Sequence, residues 1–219
     1  MTTSLPFDAV IFDLDGTLID TELLCNETGV AACANLGHPV SMAFFEGLAG
    51  IDDTTRMQMI GTETGQPIDH GAFLAEWDRL CTLRFAEGVP LKAGALDLLG
   101  RIEGLGLPMA ICTSSRRGPA SEKVAAAGFG RFFRHVITFD DVKQPKPAPD
   151  PYLLAAEKLG IGPDRCLAFE DSDTGARSAR AAGLHVVQIP DLHPPKQAHA
   201  HIVSATLLDG ARQAGLLRD

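Results

Sequence analysis

Val10-Ile11-Phe12-Asp13-Leu14-Asp15-Gly16-Thr17-Leu18-Ile19-Asp20 decides the fold, because a short apolar run stops abruptly at two carboxylates and a glycine. Residues 9–12 read as a buried strand, since a brief apolar run beside turn residues suits a parallel strand covered on both faces. Asp13 then falls at the carboxyl end of that strand. Two carboxylates two residues apart repel each other at neutral pH unless a cation or a shared proton relieves them. A divalent metal is the economical answer. Gly16 has no Cβ, so the chain can turn sharply there and present backbone N–H groups to an anion, while Thr17 adds a hydroxyl donor. A metal beside an anion points to phosphate.

Composition bounds the rest. A chain of 219 residues fits one large domain or a core with a smaller insertion, and it can bury a substantial core unaided. Cys25, Cys33, Cys81, Cys112 and Cys166 form an odd set without Cys-x-x-Cys spacing, which reads as small reduced core residues and a cytoplasmic location. Residues 1–7 lack the basic start of a signal peptide, and no apolar run approaches membrane-spanning length. A formal net charge of −9 argues against nucleic acid or an anionic membrane as partner. The expectation is a small-molecule substrate and a monomer or weak homo-oligomer.

Further along, residues 21–88 read as helices with no strand among them, at 22–36, 52–65 and 69–87, with Asp20 or Thr21 available as the first N-cap. Residues 88–94 read as a linker. From residue 95 helix and strand alternate, with strands at 109–112, 136–139, 166–169 and 186–189, helices at 119–127, 150–159 and 174–182, and a closing helix at 206–217. That alternation predicts a doubly wound, Rossmann-like parallel sheet formed by residues 1–20 and 89–219, with 21–88 as an inserted all-helical cap. Three strands end in polar clusters: Asp13-Leu14-Asp15, Thr113-Ser114-Ser115 and Glu170-Asp171-Ser172-Asp173. In open parallel sheets ligands bind outside such ends, at the topological switch point. Lys146-Pro147-Ala148-Pro149-Asp150 opens a helix nearby, its prolines giving Lys146 a defined exit direction.

The stretch Asp13-x-Asp15-Gly16-Thr17 resembles the first motif of the haloacid dehalogenase superfamily. Thr113-Ser114, Lys146 and Glu170-Asp171 are similar to its later motifs in the same order. The resemblance implies that Asp13 attacks phosphorus and forms an aspartyl phosphate, and that Asp15 protonates the leaving alcohol and then activates water. It also implies Mg²⁺ held by Asp13, the Asp15 backbone carbonyl, Asp171 and Glu170, the last directly or through water. Thr113 and Ser114, with Gly16 and Thr17, would bind the phosphoryl group, and Lys146 would balance the negative charge. Plainer uses stand beside these. Thr113 can cap a strand end, with Ser114 or Ser115 taking its place, and Lys143 competes with Lys146. Asp173 reads as the N-cap of its helix, and His199 and His201 as solvated histidines in a polar tail.

The helical insertion resembles the cap of the branch that includes phosphoglycolate phosphatase, sugar-phosphate phosphatases and β-phosphoglucomutase. Leu48-Ala49-Gly50 is similar to the mutase cap loop, yet mutases hold a lysine where this chain has Ala49 and an arginine where it has Asp53. Arg56, one turn later, could stand in as a substrate contact. A lysine-free cap closes the Schiff-base route of the phosphonoacetaldehyde hydrolases, and the presence of Asp15 argues against dehalogenation. The resemblance therefore implies a Mg²⁺-dependent phosphatase of small phosphomonoesters, with sugar phosphates the favoured class. The alternatives are a β-phosphoglucomutase-like mutase and, from another class, a phosphoacceptor signalling module.

Overall fold

The structure, a computed structural model, describes residues 5–48, 51, 53–191 and 194–218. Strand β1 (Ala9–Phe12) comes first, and four helices follow: α1 (Glu22–Asn35), α2 (Met42–Glu46), α3 (Asp53–Thr64) and α4 (His70–Ala86). Then come α5 (Ala95–Gly104), β2 (Met109–Cys112), α6 (Arg117–Ala126), β3 (Phe133–Ile137), α7 (Asp150–Leu159) and β4 (Cys166–Glu170). The chain closes with α8 (Asp173–Ala181), β5 (His185–Gln188), β6 (Ile202–Val203) and α9 (Leu207–Gln213). It divides into two compact units, Met1–Asp20 with Pro90–Asp219, and Thr21–Val89.

The first unit is an α/β layer built on a parallel sheet of order β3-β2-β1-β4-β5-β6. The chain runs outward from β1 through β2 to β3, then returns to lay β4 on the other side of β1. This reversal puts the topological switch point between β1 and β4, at whose carboxyl ends open parallel sheets bind their ligands. Every residue of β1, β2 and β4 is buried, as unbroken apolar runs in a sheet covered on both faces require. One covering layer is alanine-rich: Ala155 and Ala156 of α7 and Ala176 and Ala179 of α8 lie against Ile11, Ala110 and Ala168. Such small side chains let helix and sheet approach closely.

Three readings of the sequence are corrected, and two short elements escaped it. Strand β3 begins at Phe133, and Phe139 belongs to a 3-10 turn, Phe139–Asp141, closed by reciprocal bonds between Thr138 and Asp141. Because β3 is an edge strand carrying Arg134 and His135, it shows no clean apolar run. Ser172, not Asp173, caps α8: its hydroxyl accepts from Gly175 N at 3.1 Å, while the Asp173 carboxylate takes Gln188 Nε2 and Lys196 N. His201 is more than a solvated tail residue, since its ring stacks on His185 at 4.2 Å and its Nδ1 accepts from Val186 N. Finally, the short elements α2 and β6 leave no periodic signature to read.

The second unit packs Phe45, Leu48, Ile60 and Phe73 into its own apolar core, with Trp77 edge-on to Phe45 and donating from Nε1 to Cys25 O at 2.9 Å. Its three arginines are all paired within the unit, Arg56 with Asp53, Arg79 with Glu76, and Arg84 with Glu27 and Glu87. Of the Leu48-Ala49-Gly50 loop, Ala49 and Gly50 lie outside the described residues, as does Asp52, the first residue of the helix that the sequence predicts over 52–65.

Candidate active site

Strand register brings the polar clusters together. Phe12 pairs with Ile111 on one side and Phe169 on the other, so the residues that follow emerge side by side. The ladder continues one step further, with Asp13 N donating to Phe169 O at 2.9 Å and Thr113 N to Ile137 O at 2.8 Å. Asp13, Asp15, Thr113, Ser114, Lys146 and Asp171 line one cavity of about 330 Å³. Glu170 lies beneath it with no exposed surface.

The turn after β1 needs glycine twice over. Gly16 has φ of +83°, a left-handed conformation, and a Cβ there would sit 2.6 Å from Asp171 Oδ2. Gly16 N donates to Ile19 O at 2.9 Å, folding the turn back so that Asp13 and Asp15 are both presented at the strand end. Thr17 is buried, and its hydroxyl oxygen has no hydrogen-bond partner.

Lys146 organises the floor of the cavity. Its ammonium donates to Asp13 Oδ1 at 2.8 Å, Cys112 O at 2.8 Å and Glu170 Oε1 at 2.5 Å, which uses all three of its protons. Lys143 makes none of these bonds. Tyr152 donates to the same Glu170 oxygen at 2.7 Å, and Ser172 donates to Oε2 at 3.2 Å. Gly175 opens α8 directly over this carboxylate, and a Cβ there would collide with Glu170. Burial drags the Lys146 ammonium down, but the Asp13 and Glu170 carboxylates more than offset it and hold it well above the ordinary lysine range.

The carboxylates feel the same burial in reverse. Desolvation, reinforced by Glu170 and opposed by Lys146, pushes Asp13 up to about 7. Desolvation together with Asp13 and Glu170 pushes Asp171 up to about 9. Asp13, Glu170 and Asp171 each offer an oxygen within 4.8 Å of the others. With all three carboxylates ionised, one ammonium leaves two negative charges unmatched, and Asp13 Oδ2 is buried without a hydrogen-bond partner. An all-oxygen donor set with that deficit fits Mg²⁺. Both oxygens of Glu170 are already engaged, which favours its acting through a water.

Asp15 is held differently. Lys123 donates to its Oδ1 at 2.7 Å, Ser115 donates to its Oδ2 at 2.9 Å, and Lys123 also donates to Ser115 Oγ at 3.1 Å. Thr113 Oγ1 accepts from Ser115 N at 3.0 Å, which leaves its own O–H available to a ligand. Arg56 belongs to the other unit, where it donates to Asp53 and Ile51 O and lies 5.4 Å over the Trp77 ring.

Lys123, Tyr152 and Asp191 escaped the reading of the sequence. Asp191 pairs with Lys92 beside the Gly16 turn. A signal existed for the first two: α6 buries Ala120, Lys123 and Val124, and α7 buries Tyr152, Ala155 and Ala156, the same i, i+3, i+4 face. A polar head on an inward face is the mark of a residue reaching for a partner.

A family model for haloacid dehalogenase-like hydrolases matches residues 7–183. The chain is 36% identical to protein CbbY of Rhodobacter capsulatus, over 83% of this chain and 85% of that relative. It is 33% identical to the fructose-1-phosphate phosphatase YqaB of Escherichia coli strain K12, over 84% of this chain and 96% of the relative. A crystal structure of a haloacid dehalogenase family hydrolase from Deinococcus radiodurans R1, with bound phosphate and sodium, superposes with a TM-score of 0.79 at 29% identity, covering 98% of this chain and 99% of that one. With the parallel sheet, the strand-end carboxylates and the matched span in agreement, the chain belongs to the haloacid dehalogenase-like hydrolases.

Proposed function

We propose that the chain is a Mg²⁺-dependent phosphatase of small phosphomonoesters, with sugar phosphates as the preferred class and residues 21–88 acting as the cap that selects among them. The observation that carries the chemistry is Asp13: one oxygen is fixed by Lys146, and the other is buried and unpartnered on a carboxylate that lines the cavity. A carboxylate held by one oxygen is aimed by the other.

In this reading Asp13 attacks phosphorus, and the bond to the ester oxygen breaks as an aspartyl phosphate forms. Asp15 gives its proton to the departing alkoxide, then takes one from the water that attacks the aspartyl phosphate. Phosphate leaves and Asp13 is restored. Thr113 and Ser114 donate to the phosphoryl oxygens, and Lys146 keeps Asp13 oriented and its charge offset; the Gly16 N–H is spent on Ile19 O, so that turn shapes the site rather than binding phosphate. Asp13, the Asp15 carbonyl and Asp171 would hold Mg²⁺, with Glu170 through water; when bound, the ion offsets the charge of phosphate and carboxylates.

Release to water, rather than transfer to a second sugar position, is supported by the helical unit. Its three arginines are each spent on a carboxylate of the same unit, and it has no lysine. No cation there is left over for a second phosphate. The test is phosphate release from a panel of sugar phosphates, phosphoglycolate and nucleotides, with Mg²⁺ or chelator, for the wild type and Asp13→Asn. Loss of turnover by about 10⁴-fold or more with either change is the expected result. An isomerised sugar phosphate without free phosphate would establish the mutase instead.

A further inference from the structure

Lys123 is a nearly buried ammonium on a helix face that should be apolar. Its side chain is 9% exposed, against 30% for Asp15. Burying an ammonium is costly unless it is paired and hydrogen-bonded, and a methionine at this place beside Ala120 and Val124 would pack without that cost. What the lysine adds is a closed triangle. Its Nζ holds Asp15 Oδ1 at 2.7 Å and Ser115 Oγ at 3.1 Å, and Ser115 in turn holds Asp15 Oδ2 at 2.9 Å. The terminal torsion of an aspartate is otherwise broad. Two donors from separate positions, one on α6 and one on the loop that follows β2, fix both oxygens at once. The anchor is buried while the carboxyl group keeps an open side on the cavity.

We propose that Lys123 is a positioning residue for proton transfer: with Ser115 it holds the Asp15 carboxyl group in the orientation from which it serves the departing alkoxide and then the attacking water. The inference rests on the reading of Asp15 as the acid and base. Lys123 acts through Asp15, so its loss should be felt only where proton transfer limits the reaction.

The experiment compares kcat/KM for the best alkyl phosphate of the panel with kcat/KM for p-nitrophenyl phosphate, whose weakly basic phenolate departs without a proton. Misplacing a catalytic group by about 1 Å costs on the order of 10²-fold, so Lys123→Met should lower the alkyl ester by about 10- to 100-fold and the aryl ester by less than about threefold. Lys123→Arg, which keeps a cation of similar reach, should recover part of the loss. Ser115→Ala should show the same discrimination more weakly, and it decides the matter if Lys123→Met does not fold. Asp15→Asn is the control. If it discriminates between the esters while Lys123→Met and Ser115→Ala lower both equally, or neither, the positioning role is overturned and Lys123 is only a buried counter-charge. If Asp15→Asn itself shows no discrimination, the acid–base reading beneath the inference fails, and the inference with it.

Discussion

At the floor of the cavity, Asp13 and Glu170 are closed over by Lys146 and Tyr152, all of them buried. Two residues further along, Asp15 is gripped by Lys123 and Ser115 but keeps nearly a third of its side chain in solvent. Both are carboxylate–lysine pairs of similar length, yet their surroundings give them different work. On the floor, burial away from water drives Asp13 and Asp171 upward in pKa, Glu170 adds to the shift, and the balance of positive and negative groups sets stability. At the rim, solvent shares the load, and the contacts set orientation more than stability.

The largest way to break that contrast is to remove Lys146. Lys146→Met leaves buried carboxylates uncompensated, and breaking such a pair costs about 3–5 kcal/mol. The melting temperature in chelator should fall by on the order of 10 °C, with turnover lost as well. A variant that melts with the wild type would mean that the floor tolerates its charge deficit.

Next comes pH. In the metal-free protein the native Asp13 and Asp171 keep protons up to about 7 and about 9, where an unfolded aspartate of ordinary value 3.8 has released them. The native state thus binds more protons than the unfolded state between about pH 4 and 9, and its stability falls as pH rises through that window. Saturating Mg²⁺ stands in for the protons and should flatten the dependence. Melting curves across the range with and without Mg²⁺ check the sign; a metal-free protein that grows steadily more stable from acid to alkaline pH would contradict it.

The smallest effects sharpen the comparison by matching one hydroxyl from each region. Tyr152→Phe removes a bond to a fully buried carboxylate and should cost about 1–2 kcal/mol, whereas Ser115→Ala, beside the partly exposed Asp15, should cost less than about 1 kcal/mol. Denaturant titrations of the two variants give the order. A reversed order would place the structural weight at the rim.

Much of this was legible in the chain because the informative residues are local. The run from residue 9 to residue 12 reads as β1, and 109–112 as β2, since full burial on both faces demands an unbroken apolar stretch. The edge strand β3, partly wet and carrying Arg134 and His135, obeys no such demand, and its start could not be read. The strand-end polar clusters also announce themselves, because a buried strand has no other reason to stop in carboxylates. Lys123 and Tyr152 lie in helical stretches whose other inward residues are ordinary, and their partners lie on other elements, 108 residues away for Lys123 and Asp15 and 18 for Tyr152 and Glu170.

From the sequence alone came the parallel α/β core, the helical insertion, and Asp13, Asp15, Lys146, Glu170 and Asp171 as the groups that gather at the strand ends. Periodicity and the chemistry of crowded carboxylates are properties of short stretches, so they survive without coordinates. Only the tertiary structure decided how the charges divide. Lys146 spans Asp13 and Glu170, Lys123 takes Asp15 with Ser115, and Arg56 turns inward to Asp53 and Trp77. Which ammonium meets which carboxylate depends on distances of a few ångströms between elements far apart in the chain, and on how much water each pair retains.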